Sequence, residues 1–261
     1  MRIIDFHTHI YPQKVAEKAT NMICEFYDIE GDGMCGTAEE LMARGDMVGI
    51  TDFVILPVAN KPEQVRNIND FIVNQVAENS RFYGFGTVHA QMENITDEID
   101  YISSVGLLGV KIHPDTQQFG IDDERLFPMY EMIQGKLPIL IHMGDKRYDF
   151  SHPARLRRVL DKFPKLDVIA AHFGGWSMQK VAYDYLKDTN CSFDISSMLR
   201  FMEPGEPEHY IRAYGVDRIL YGTDYPVWDP AIEVKRFLSL DLTDAEKEKI
   251  AYQNALKILK K

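Results

Sequence analysis

The chain has 261 residues, 45% hydrophobic, 11% aromatic and 26% charged, which is the composition of a folded globular protein and not of a disordered or fibrous one. Its 29 Lys and Arg against 40 Asp and Glu give a net charge of -11, a field that repels phosphate backbones and anionic lipid, so neither nucleic acid nor a membrane surface is an expected partner. Cys24, Cys35 and Cys191 make no disulfide framework and no paired Cys-x-x-Cys site, and the opening MRIIDFHTHI has too short an apolar run for a signal peptide or a membrane span, so a cytoplasmic protein is expected.

Short apolar runs rich in β-branched residues alternate along the chain with longer segments of helical spacing. The runs lie at 2–6, 52–56, 82–88, 107–112, 138–141, 167–171, 192–195 and 218–221. Helices are predicted between them, among others over 62–79, 97–104, 125–134, 153–162 and 179–188. Eight strands alternating with helices predict an α/β fold, a distorted (β/α)8 TIM barrel, with 1–261 as a single domain. Such barrels commonly run to roughly 250 residues. The connection after the first strand is longer than the others and reads as an insertion at about 10–50, with helices over 14–26 and 37–45. Thr37 and Glu40 form a capping box that marks the second of these. An insertion at that place would lie on the active-site face of a barrel, where it could cover the mouth. The tail, 243–261, opens on a second box, Thr243 and Glu246, and reads as a closing helix.

In a barrel, chemistry sits at the carboxyl ends of the strands, and side chains of one parity face inward. Six of the eight histidines fall at or just beyond predicted strand ends: His7, His9, His89, His113, His142 and His172. His152 and His209 read as loop or surface residues. Asp5, His7 and His9 share one parity, Lys111 and His113 another common one, and Asp224 ends the eighth strand. Each histidine alone is explained by a structural hydrogen bond. Together, His-x-His on the first strand, histidines on the fifth and sixth and Asp on the eighth offer what a divalent ion such as Zn²⁺ requires: neutral nitrogen ligands, a balancing carboxylate and an open position.

The runs IIDFHTHIYP, GVKIHP, PILIHMG, RLRRVLDKFPKLDVIAAHFGGW and YGVDRILYGTDYP, followed by Asn254-Ala255-Leu256, resemble the amidohydrolase superfamily over essentially the whole chain. The resemblance is to the amidohydrolase-related branch that includes aminocarboxymuconate semialdehyde decarboxylase and γ-resorcylate decarboxylase. It implies a distorted barrel with His7, His9, His142 and Asp224 as metal ligands and His172 as a catalytic histidine. One Zn²⁺ is the expected cofactor. Mn²⁺ and a two-metal site bridged by a carboxylated Lys111 are the variants, and a homodimer is a further implication. A bound ion lowers the pKa of water to about 7, and Asp224 can accept the proton and pass it to a leaving group. Asp5 reads either as a carboxylate behind the ligands that orients them or as a structural Asp bonded to backbone.

On the substrate side, Lys111, His113, Arg147 and Trp176 are the candidate contacts, with Arg200 and Tyr148 as weaker ones. The segment DIEGDGMCGTAEE matches dinucleotide and calcium-loop spacings only loosely, and a flexible acidic loop accounts for it. No Gly-x-Ser-x-Gly elbow and no phosphate-binding P-loop motif is present. The expected function is metal-dependent hydrolysis of a small molecule by activated water. The alternative is non-oxidative decarboxylation of an aromatic or enolic acid. A phosphoesterase is disfavoured by Pro226 where such enzymes place a histidine, and a deoxyribonuclease by Lys111 and the -11 charge. A binding barrel without activity would have no need of the complete ligand set.

Overall fold

The structure, a computed structural model, describes residues 1–260. The strands are β1 (Ile4–Thr8), β2 (Asp52–Ile55), β3 (Phe82–Gly84), β4 (Gly86–Thr87), β5 (Val110–Ile112), β6 (Ile139–Ile141), β7 (Val168–Ala170), β8 (Ser192–Asp194) and β9 (Ile219–Leu220). All eight predicted runs become strands, and the third becomes two, interrupted at Phe85. Phe85 is fully buried, and its ring lies where a Cβ on Gly109 would be, 2.5 Å away. A side chain at Gly86 would meet Ile102 at the same distance, so the backbone here lies directly against its neighbours. The chain forms two compact units, one of residues 1–56, 78–83 and 195–260, the other of residues 57–77 and 84–194.

In the first unit β1 and β2 pair in parallel, Ile4 opposite Asp52, with a register shift between Asp5 and Thr8. Arg81 O accepts from Phe53 N–H at 2.9 Å, which adds the β3 segment beside β2. On the other side of β1, Phe6 N–H donates to Tyr221 O at 2.9 Å and Asp224 N–H to His7 O at 2.8 Å. The β1 residues are buried throughout, as a strand covered on both faces must be. The predicted insertion helices form at Ala16–Tyr27 and Ala38–Asp46. Thr37 caps the second by accepting from Glu40 N–H, but the Glu40 carboxylate turns to Cys35 N–H and Gly36 N–H, so only half of the expected box is made. At the tail the Thr243–Glu246 box is complete. The predicted closing helix is interrupted by a π turn at Lys249–Gln253, where Ile250 O accepts from Tyr221 N–H at 3.0 Å. The wider turn frees a carbonyl for the β9 segment. Asn254 Nδ2 donates to Val216 O and Ile219 O, each at 2.8 Å, and holds the tail on the same segment.

In the second unit β4 to β8 lie side by side in chain order, all parallel. The helices Ile95–Ser104, Phe127–Ile133, Pro153–Lys162 and Gln179–Leu186 follow successive strands, close to the predicted segments. A short turn of helix at Pro114–Gln117, absent from the sequence prediction, follows β5. Among the described residues no helix is long and apolar enough to cross a membrane.

Candidate metal centre

The first unit brings His7, His9 and Asp224 together. His9 Nδ1 lies 2.5 Å from the Leu56 carbonyl oxygen. A carbonyl can only accept, so the ring proton sits on Nδ1 and the lone pair is on Nε2. His7 Nδ1 lies 3.0 Å from Ser196 Oγ, which turns its Nε2 the opposite way. Both Nε2 atoms are 3.5 Å from the same oxygen, Asp224 Oδ1. Tetrahedral ligands held 2.0–2.1 Å from an ion stand roughly 3.4 Å from one another, so these three fit a single divalent ion. His7 is 1% exposed at its side chain, His9 13% and Asp224 17%, which leaves the open edge on the His9 and Asp224 side.

The local fold explains the convergence. The Thr8–Tyr225 bridge and the Asp224 N–H to His7 O bond lay the Asp224 segment along the end of β1. Asp224 takes φ +66°, a left-handed conformation uncommon outside glycine, held here by those bonds. Asp5 Oδ1 accepts from Thr223 N–H at 2.9 Å and His7 N–H at 3.3 Å, and Oδ2 from the Thr223 hydroxyl at 2.7 Å. Asp5 thus ties the backbone of β1 at His7 to the Thr223–Asp224 segment. Burial, and then the nearby Asp224 charge, push the Tyr11 phenol pKa above its ordinary value, so Tyr11 is neutral. Tyr11, Ser196 and Ser197 were not singled out by sequence. His7 and Ser196 are 189 positions apart, and the only signal was the polar Ser-Ser pair just past the seventh predicted strand.

The second unit holds Lys111, His113, His142, His172, Arg147 and Trp176. Lys111 is fully buried on β5. His142 Nδ1 lies 3.0 Å from His172 Nε2, and His172 N–H donates to Asp194 Oδ1 at 3.1 Å. The His113 ring stacks on His142 at 3.9 Å and 7°. Asp115, missed by the sequence reading, sits beside them, its Oδ2 3.7 Å from His142 Nε2 and 2.6 Å from the Ser151 hydroxyl that donates to it. His113, Asp115 and His142 are close enough to suggest an ion. The parallel stack argues against it, because a nitrogen lone pair lies in its ring plane and one ion cannot lie in two parallel planes. Arg147 is paired with buried Asp145 at 2.7 Å, so its guanidinium comes with a counter-charge. Trp176 N–H donates to Met143 O at 2.8 Å, and a Cβ on Gly144 would come within 2.3 Å of Gly175 Cα, so the turns after β6 and β7 touch backbone to backbone. In the first unit Arg200, the weaker anion candidate, is held by Asp32 and Glu233.

Burial pushes the Asp115 carboxyl from its ordinary 3.8 up to about 7, against the Ser151 hydrogen bond that lowers it. Its Oδ1 has no hydrogen-bond partner among the described residues. Between those two values the folded chain keeps a proton that the unfolded chain has released. The Asp115 contribution to stability therefore falls as pH rises from about 4 to about 7 and stays low above that. Asp115→Asn removes the dependence: urea midpoints at pH 5 and pH 8 differ less in the variant than in the parent, and the variant gains on the parent at pH 8. An unchanged difference between the two pH values would count against a buried, proton-holding Asp115.

An amidohydrolase family model matches residues 4–261. Among solved structures, an uncharacterised TIM-barrel protein from Bordetella bronchiseptica superposes with a TM-score of 0.84 at 20% identity, covering 100% of this chain and 99% of that one. The 5-carboxyvanillate decarboxylase of Sphingomonas paucimobilis gives 0.79 at 20% identity, with 99% of each chain covered. A dihydroxybenzoic acid decarboxylase from Polaromonas sp. JS666, solved with bound manganese and the inhibitor 2-nitroresorcinol, gives 0.77 at 18% identity, covering 99% and 96%. The fold is thus the α/β TIM barrel that the strand count predicts.

Proposed function

Because the chain belongs to the amidohydrolase family, we propose that it is a divalent-metal-dependent enzyme that removes carbon dioxide, without oxidation, from a hydroxylated aromatic carboxylic acid. The observation that carries the reading is the meeting of His7 Nε2 and His9 Nε2 at Asp224 Oδ1. The decarboxylases that share the fold support this choice over the expected hydrolysis, and the manganese in one of them supports Mn²⁺ beside Zn²⁺. Hydrolysis of a C–N or C–O bond is the second reading, favoured by the family's own description.

A divalent ion bound there supplies a Lewis acid for a substrate oxygen and lowers the pKa of a water. The chain's own contribution is the placing of a proton. His9 is fixed in one tautomer by the Leu56 carbonyl. Asp224 presents Oδ1 while Oδ2 accepts from the Ser197 hydroxyl, so the carboxylate is oriented to carry the proton. In decarboxylation that proton goes to the ring carbon as its bond to the carboxylate breaks, giving the arene and carbon dioxide. In hydrolysis it is taken from water and passed to the leaving group. The ligand set that the resemblance implies also includes His142, with His172 as the catalytic histidine, while Lys111, His113, Trp176 and the Asp145-paired Arg147 are the substrate-contact candidates of the sequence.

Protein purified without chelators is expected to carry about one divalent ion per chain and to release carbon dioxide from 5-carboxyvanillate or a dihydroxybenzoic acid, with both lost on chelation. Release by ion-free protein would overturn the reading. Turnover of lactones or amides with no carbon dioxide from any of the acids would replace it with hydrolysis.

A further inference from the structure

Asp224 has a second set of contacts that the proposed chemistry does not itself require. Trp228 Nε1–H donates to Ser197 Oγ at 2.8 Å, and the Ser197 hydroxyl lies against Asp224 Oδ2. An indole N–H is donor only, so Ser197 must accept from Trp228 and can spend its single proton on Asp224. The direction of the chain is therefore fixed, and it commits Oδ2 while Oδ1 faces the two imidazoles. Ser197 pays for its place in backbone conformation, at φ +62°.

The chain does not stop at Trp228. The Arg200 guanidinium lies 3.7 Å above the Trp228 ring, and two carboxylates hold it there: Asp32 at 2.7 Å and Glu233 at 2.8 Å. Asp32 belongs to the acidic loop of the insertion. It is pinned to the Asp224 segment twice more, by Asp32 N–H to Val227 O at 2.9 Å and by Asp229 N–H to Asp32 Oδ2 at 3.0 Å. Every member lies in the first unit.

We propose that Ser197 is a positioning residue that fixes the Asp224 carboxylate for the ion, and that the acidic insertion loop, through Asp32, Arg200 and Trp228, holds Ser197 in that role. The proposal rests on the reading that His7, His9 and Asp224 hold a divalent ion. It gives the loop a function that neither a nucleotide nor a calcium site supplies.

The test uses the full chain and Co²⁺ as the probe, with affinity read by chelator competition and the ligand geometry by the visible spectrum. Ser197→Gly removes the hydroxyl while suiting the left-handed backbone, so it keeps the fold, and Ser197→Ala is the second variant. Both are expected to bind Co²⁺ about tenfold or more weakly, with shifted absorption bands, as loss of an outer hydrogen bond to a ligand does. Asp32→Asn is expected to weaken binding less, and the Ser197→Gly/Asp32→Asn double variant to match Ser197→Gly alone, because the two act along one path. Parent protein that binds no Co²⁺ would remove the metal reading itself. Parent binding with unchanged affinity and spectrum in both Ser197 variants would overturn the positioning role alone, and additive losses in the double variant would overturn the part assigned to the loop.

Discussion

Asp224→Asn is expected to lower carbon dioxide release by about 10²–10⁴-fold or more while leaving the unfolded-to-folded transition almost where it was. Asn is among the few residues that accept a left-handed backbone, so φ +66° is kept. Its amide can still pair with Ser197, and the backbone bond to His7 O does not involve the side chain. What is lost is the charge at Oδ1 facing two imidazoles and the capacity to carry a proton. Metal content should fall together with activity, measured on the same preparation. Turnover retained within a few-fold would show that the reacting group lies elsewhere.

Asp5→Ala is expected to have the largest effect on stability. Asp5 is fully buried, and its carboxylate receives the Thr223 hydroxyl and the amides of Thr223 and His7. Each buried donor left without an acceptor costs about 1–3 kcal/mol, so a loss on the order of 3–5 kcal/mol is expected in urea unfolding. A loss below about 1 kcal/mol would mean that the neighbouring backbone closes the gap without the carboxylate. The same substitution should weaken metal binding, since Asp5 sets the spacing between the His7 backbone and the segment that carries Asp224.

The strands were legible because parallel strands buried on both faces are written as short continuous apolar runs, and these stand out between amphipathic helices. The convergence of His7, His9 and Asp224 was legible for a related reason: titratable residues of one parity gather at the ends of runs that are otherwise largely apolar. Asp115 was within reach of the same logic, two positions beyond His113, but the chain turns into a short helix at Pro114, where strand parity no longer applies. Ser197 and Trp228 were out of reach. Their contacts join residues 27 and 31 positions apart through a loop whose backbone signs no periodicity encodes. Arg200 was noticed as a cation, but its partner Asp32 is 168 positions away, so a bound anion and an internal ion pair looked alike. The Glu40 half of the capping box went astray because local pattern does not weigh the competing amides of Cys35 and Gly36.

Glu40 also accepts from the hydroxyl of Tyr225, at 2.7 Å, and Tyr225 is the residue after Asp224. The insertion after β1 is therefore no interchangeable module. Grafting that loop from one barrel to another would detach Glu40 and Asp32 together from the segment that carries Asp224. Loop exchange in this scaffold should be designed as a joint replacement of residues 28–40 with residues 224–229, because varying the first alone breaks both ties to the Asp224 segment at once.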